Sequence, residues 1–392
     1  VQKEALAPKI NLSTKKKVAF ICSGGAVKAA AFHVGVAMAL EEAGFIFEGG
    51  LAHDASDLTG IDPSRAISCY VGSSAGALIS AFLSNGGSIK ELQATFQQSP
   101  DVEGIPGLKY WEMLSPRMRS ARELLSFDNF FIRMLRKKQV QSVFGTEGIS
   151  RYLRENILKT ERFSELRSDL YIVTTELNRP QKVIFGKEKL SNSDPAYEYR
   201  TDVSIPDACA ASMSLPPIYH PYSIQIEGER REFFDGEIWE PLSSHVGRDL
   251  GCDLVICSYT HQPMRLARQS KHSIADMGIE KITLQAIYQS IEQKIRSARG
   301  SRRREKEVLD IVKKFCKDEG IEAERSERLL ERLEQRMVYN SEIDYIYIHP
   351  RATDLEMFNA PHFSLNRTTT ESITRKGYIA GKLALRNIYL NP

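Results

Sequence analysis

The chain has 392 residues, 42% of them hydrophobic and 26% charged, with a formal net charge of +3. That much apolar material can fill a large core, while so small a net charge argues against a surface that is basic throughout, so no nucleic-acid partner is expected. The six cysteines, Cys22, Cys69, Cys209, Cys252, Cys257 and Cys316, fall in apolar patterns without metal-ligand spacing, so they read as buried thiols in a reducing compartment.

Residues 1–14 are mostly polar and read as a flexible segment ahead of one domain over 15–392. No stretch approaches the length of a membrane span. A cytoplasmic or peripheral-membrane location is expected, with export left open because the chain opens on Val1.

A buried strand is predicted over 17–22, followed by the turn Ser23-Gly24-Gly25-Ala26-Val27-Lys28 and a small-residue helix over 29–42. Amides at such a turn can converge on an oxyanion or a phosphate, because the first helical N–H groups lack internal partners. Neither a dinucleotide fingerprint nor a P-loop spacing is matched here.

The apolar run 66–71 reads as a second strand, and 77–83 as a helix. Between them lies Gly72-Ser73-Ser74-Ala75-Gly76, a Gly-x-Ser-x-Gly turn in a strand-to-helix setting. Ser74 is therefore the candidate nucleophile, with Gly72 and Gly76 keeping side chains clear of a sharp bend. Ser88 and Glu91 form a capping box that opens a helix over 89–98. The largely helical region beyond it includes 105–111 and 127–138, where aromatic, leucine and basic residues interleave. That pattern suits either a core face or a face resting among lipid headgroups.

A strand is predicted from Tyr171, and downstream Arg231-Glu232-Phe233-Phe234-Asp235-Gly236-Glu237 offers Asp235 as a general base for Ser74, a role that needs partial burial or a short hydrogen bond. The same Asp-Gly pair also fits a hairpin turn. After a strand over 253–257, residues 279–338 read as a densely charged helical insertion. Its basic cluster of Lys294, Arg296, Arg299, Arg302, Arg303, Arg304 and Lys306 is open to two readings, a solvated face or a dock for anionic lipid. Its separation in sequence from Ser74 and Asp235 permits it to stand clear of them. A strand over 343–350 returns the chain to the sheet.

Taken together, these segments resemble the patatin-like phospholipase family. Residues 23–29 look like its glycine-rich oxyanion loop with a basic residue, Gly72-Ser73-Ser74-Ala75-Gly76 like its nucleophile elbow, and Asp235-Gly236 like its aspartate motif. The Ala-Ser-rich stretch 208–217, the strand 171–177 and the helix 372–387 are similar to supporting elements of that family. The resemblance implies a three-layer α/β/α fold with a mostly parallel sheet, and a phospholipase A-type lipid acyl hydrolase. It implies Ser74 and Asp235 as a catalytic dyad, Gly24, Gly25, Ala26 and Lys28 around the oxyanion and substrate, an acyl-lipid substrate, peripheral membrane contact, and neither cofactor nor metal.

The departures are Ala26 and Ala29 where the family usually has glycine, and Glu237 where Asp-Gly-Gly or Asp-Gly-Ala is usual. Ala26 fits comfortably only if its φ is negative. Glu237 would raise the pKa of Asp235 if it points inward and do nothing if solvated. Two rival readings stand beside the dyad. One is a Ser-His-Asp lipase that recruits His245, His349 or His362, and the other is a catalytically silent lipid- or protein-binding module.

Overall fold

The computed structural model describes residues 10–54, 60–97, 106–113, 115–116, 142, 144–190, 194–270, 272–337, 339–386 and 388–389. Most of the interleaved aromatic-basic region, including all of 127–138, lies outside them.

Among the described residues, ten strands form one sheet. In chain order they are β1 (Val18–Cys22), β2 (Ile46–Phe47), β3 (Ala66–Ser73), β4 (Asp169–Glu176), β5 (Lys182–Gly186), β6 (Tyr197–Arg200), β7 (Tyr222–Ile226), β8 (Glu229–Asp235), β9 (Leu254–Ser258) and β10 (Asp344–Ile348). The path runs β7-β8-β4-β3-β1-β9-β10, with β2 on β3 and the β5-β6 pair on β4. From β4 through β10 along that path every pairing is parallel, whereas β8 meets β4 antiparallel and β7 closes a hairpin on β8.

Strand alternation divides the apolar residues between two cores. Val18, Phe20 and Cys22 of β1 face one side, while Ala19 and Ile21 face the other. A parallel strand covered on both faces therefore reads as a continuous apolar run. The first core is covered by α1 (Ala26–Glu42), α2 (Ala75–Ser84), α3 (Ile89–Gln97), α4 (Ile205–Ser212) and α7 (Arg367–Leu385). The second takes Leu242, Val246 and Cys252 from the segment before β9, and Ile295 from the long helix α5 (Ile279–Asp318). Helix layers thus flank both faces of a mostly parallel sheet.

The charged insertion consists of α5, 40 residues long, and α6 (Ala323–Met337), which no buried side chain anchors. At the other end of the chain, Leu12 is buried in the first core. The capping box forms as its spacing implies: Ser88 N–H donates to Glu91 at 2.7 Å, and Glu91 N–H to Ser88 Oγ at 3.2 Å. All six cysteines are buried, unpaired thiols. Among the described residues no helix is long and apolar enough to cross a membrane.

Candidate active site

Ser74 sits between the end of β3 and the first turn of α2, with φ +52° and ψ −124°. A non-glycine residue there stores roughly 1–3 kcal/mol of strain, so its surroundings must hold it. They do so by close backbone contact. A Cβ on Gly76 would lie 2.0 Å from the Cys22 carbonyl oxygen, and one on Gly72 would lie 2.4 Å from that of Gly76. The Ser74 N–H donates to Ser212 Oγ at 2.8 Å, and Ser212 in turn donates to the Val173 carbonyl at 2.6 Å. Ser212 belongs to α4, so this brace was hidden within an Ala-Ser-rich stretch whose residues carry no individual signal.

Asp235 ends β8, opposite Thr174 of β4. The tight turn of the β7-β8 hairpin is at Glu227-Gly228, so Asp235-Gly236 is free of that duty. The Asp235 carboxylate accepts the Glu237 N–H at 2.9 Å, and the Ser74 side chain lies near it. Burial pushes its pKa up to about 6 against the pull of those two groups. A carboxylate with that affinity for protons is far better matched to a serine hydroxyl than one in water.

Above Ser74 lies the 23–28 turn. Gly25 has φ +128° and Ala26 φ +56°, so the condition for a comfortable alanine at position 26 is not met. Two successive left-handed residues turn the chain so that helix α1 starts at the cavity wall, at a cost of roughly 1–2 kcal/mol for the alanine. Neither the Gly25 nor the Ala26 N–H finds an acceptor among the described residues. His33 braces the base of the turn. Its Nε2–H donates to the Ser23 carbonyl at 2.9 Å, while Nδ1 lies 2.7 Å from Ser258 Oγ. Burial keeps that ring neutral, with its pKa lowered to about 4.

Gly24, Gly25 and Ala26 are thus brought to Ser74, but Lys28 is not. Its Nζ lies 3.4 Å from both Tyr288 Oη and the Phe358 carbonyl, buried on the face of α1 turned toward α5. Desolvation, then Lys281, lowers its pKa to about 7. Glu237 does point inward: its side chain is buried beside Asp235 and lines the same cavity as Ser74.

That cavity measures about 530 Å³. Leu78, Phe96, Met113 and Ile218 make much of its apolar wall, and Leu284 and Ile287 of α5 complete it. The insertion therefore does not stand clear of the site; its first turns wall it. The basic cluster is largely committed elsewhere. Arg299 stacks 4.4 Å over Tyr347, Arg302 lies 4.2 Å over Tyr345, Arg296 pairs with Glu292, and Arg303 with Glu307.

The candidate triad histidines have other partners. His362 lines the cavity, but its Nε2 lies 2.8 Å from Tyr288 Oη. His245 packs on the Tyr197 ring beside Glu240. His349 Nδ1 donates to the Pro350 carbonyl, and its ring packs on Tyr259. Among the described residues no group of three or more His, Cys, Asp or Glu side chains is placed to hold a metal ion.

The molecule is thus a three-layer α/β/α protein with a serine on a strand-to-helix elbow, beside a buried aspartate and under a turn of free amides. The family model for patatin-like phospholipase matches residues 20–242, which include every one of these groups, and the chain belongs to that family. Membership brings with it a lipid acyl hydrolase activity. Among solved structures, the crystal structure of VipD from Legionella pneumophila is similar at 13% identity and a TM-score of 0.39, over 95% of this chain and 67% of that one. No curated protein matches the chain.

Proposed function

We propose that this protein is a phospholipase A-type serine hydrolase that cleaves acyl lipids through a Ser74–Asp235 dyad and an acyl-enzyme. The observation that carries this reading is the Ser74 side chain beside the buried Asp235 carboxylate, both lining one apolar cavity. Asp235 takes the Ser74 proton as Oγ attacks the ester carbonyl, and returns it to the leaving oxygen as the old C–O bond breaks. Water, deprotonated by the same carboxylate, then attacks the acyl carbon and frees Ser74. The amides of Gly25 and Ala26 stabilise the oxyanion in both steps, each worth about 3 kcal/mol of barrier.

The apolar wall favours a fatty acyl chain over a polar acyl group. Ile238 and Ile287 line the cavity yet are 44% and 50% exposed, so its rim is itself apolar. We place this rim against the lipid surface during turnover, which makes the protein a peripheral membrane enzyme while it works.

Hydrolysis of a phosphatidylcholine and of a short acyl ester, together with labelling by a fluorophosphonate, tests the reading. Wild type is expected to be active and labelled, and Ser74→Ala to be folded, inactive and unlabelled. Full labelling of Ser74→Ala, or a wild type inert toward every acyl ester, overturns it.

A further inference from the structure

Position 237 is where this chain leaves the family's usual aspartate motif, and the side chain there is buried between the two halves of the site. Its Oε1 accepts the Leu242 N–H at 3.4 Å, and the carboxyl lies near enough to the Gly24 amide for that group to pull its pKa down. Its own N–H donates to Asp235 Oδ1. A Cβ built on Gly24 would lie 2.8 Å from Glu237 Cγ and 2.8 Å from Ser74 Cβ, so the turn is packed against both the serine and the glutamate.

We propose that Glu237 is a positioning residue: its carboxyl clamps Gly24 to the turn carrying Asp235 and so fixes the oxyanion loop over Ser74. The proposal rests on the dyad reading above. It also explains which amides are free. With Gly24 packed against Glu237, the next two amides, of Gly25 and Ala26, are those placed to meet an oxyanion. A glycine or alanine at position 237 could not hold the loop this way, because neither carries an acceptor that reaches Gly24.

The clamp works as a neutral acid. Asp235 and Glu237 share one buried pocket, and two carboxylates there cannot both ionise cheaply. Lys182 of β5 draws on Glu237 but is already engaged by Glu240 and by Ser243 Oγ at 2.8 Å, and Lys294 of α5, which lines the same cavity, donates to the Ile238 and Trp239 carbonyls. Glu237 Oε2 has no hydrogen-bond partner among the described residues, a costly position for a charged oxygen. Burial first, then the Asp235 charge, push the Glu237 carboxyl up to about 8. Above that range a second negative charge arises beside the place where the oxyanion grows, and turnover falls.

The experiment compares wild type, Glu237→Gln and Glu237→Ala by kcat and KM from pH 5 to 10, and by hydrogen exchange of the 23–28 segment. Glu237→Ala is expected to lose at least tenfold in kcat with little change in KM, since a displaced loop misplaces its donors. Its Gly24 amide should also exchange faster. Glu237→Gln, which keeps the acceptor, should recover most of the loss and lack the alkaline fall seen in wild type. An alanine variant with wild-type kcat and exchange, or a glutamine variant with the wild-type alkaline limb, overturns the proposal. Exchange needs no turnover, so an inert wild type with a protected Gly24 amide would count against the dyad reading and leave the clamp standing.

Discussion

Ser73 and Asp235 occupy consecutive places along one edge of β4, Ser73 opposite Val173 and Asp235 opposite Thr174. β3 arrives parallel to β4 and β8 antiparallel, so the two strands end head to head. Register alone then delivers the serine that follows Ser73 to the carboxylate that closes β8. In β8 the buried Arg231, Phe233 and Asp235 alternate with less buried side chains, so a one-residue slip would turn all three away from the core, and that penalty protects the Ser74–Asp235 geometry.

Asp235→Asn should abolish turnover and stabilise the fold. The native carboxyl has its pKa raised from the ordinary 3.8 to about 6 by complete burial. The native state therefore binds more protons than the unfolded chain between those values, and the group's contribution to stability falls as pH rises through that window. The penalty is complete above about pH 6 and amounts to about 3 kcal/mol, which the uncharged amide avoids. Denaturant unfolding at pH 4 and pH 7.5 checks the sign: the advantage of the variant should be present at pH 7.5 and small at pH 4. In the wild-type rate profile the same group gives an acid limb near pH 6, with kcat/KM falling as pH drops.

Ser212→Ala should weaken both the fold and the elbow. It leaves the Ser74 N–H and the Val173 carbonyl buried without the partner they share, a loss of roughly 1–3 kcal/mol. Thermal unfolding measures the stability loss. Slower fluorophosphonate labelling of the folded variant would report the loosened elbow; an unchanged labelling rate would reduce Ser212 to a packing residue.

Much of this was legible in the sequence, because strand and turn signals are local. The apolar run before Ser74, the two glycines around it and the capping box at Ser88 each announce themselves within a few residues. What escaped were properties of pairs distant in the chain. Lys28 reads as a cation at a helix start, and only the packing of α5 against α1 shows that it faces Tyr288. An alanine ordinarily avoids positive φ, yet the turn that leads β1 into α1 holds Ala26 at φ +56°. The charged insertion has the composition of a solvated helix, and nothing in its pattern shows that Leu284 and Ile287 wall the cavity.

Arg302→Gln should cost stability more than membrane affinity. The guanidinium lies over the Tyr345 ring, donates to Ser244 Oγ at 2.6 Å and also donates to Tyr347, so it joins α5 to the sheet. Loss of those contacts should cost roughly 1–3 kcal/mol. Arg303→Gln breaks only an exposed pair with Glu307 and should change stability by less than about 0.5 kcal/mol. Chemical denaturation separates the two, and co-sedimentation with anionic vesicles should show no larger loss for Arg302→Gln than for Arg303→Gln.

Trp239→Ser tests whether the apolar rim meets lipid. Trp239 is 38% exposed, next in sequence to Ile238 of the cavity wall, and its carbonyl is held by Lys294 Nζ at 3.2 Å. Backbone, not side chain, makes that contact, so the substitution should leave the local fold in place. An indole at a lipid interface contributes through both its apolar body and its N–H, and losing it should weaken vesicle binding several-fold. Hydrolysis of vesicle phospholipid should therefore fall by a similar factor, while hydrolysis of a short monomeric ester, which needs no surface, should change little. Equal losses on both substrates would instead place the Trp239 side chain in the support of the turn that begins at Asp235.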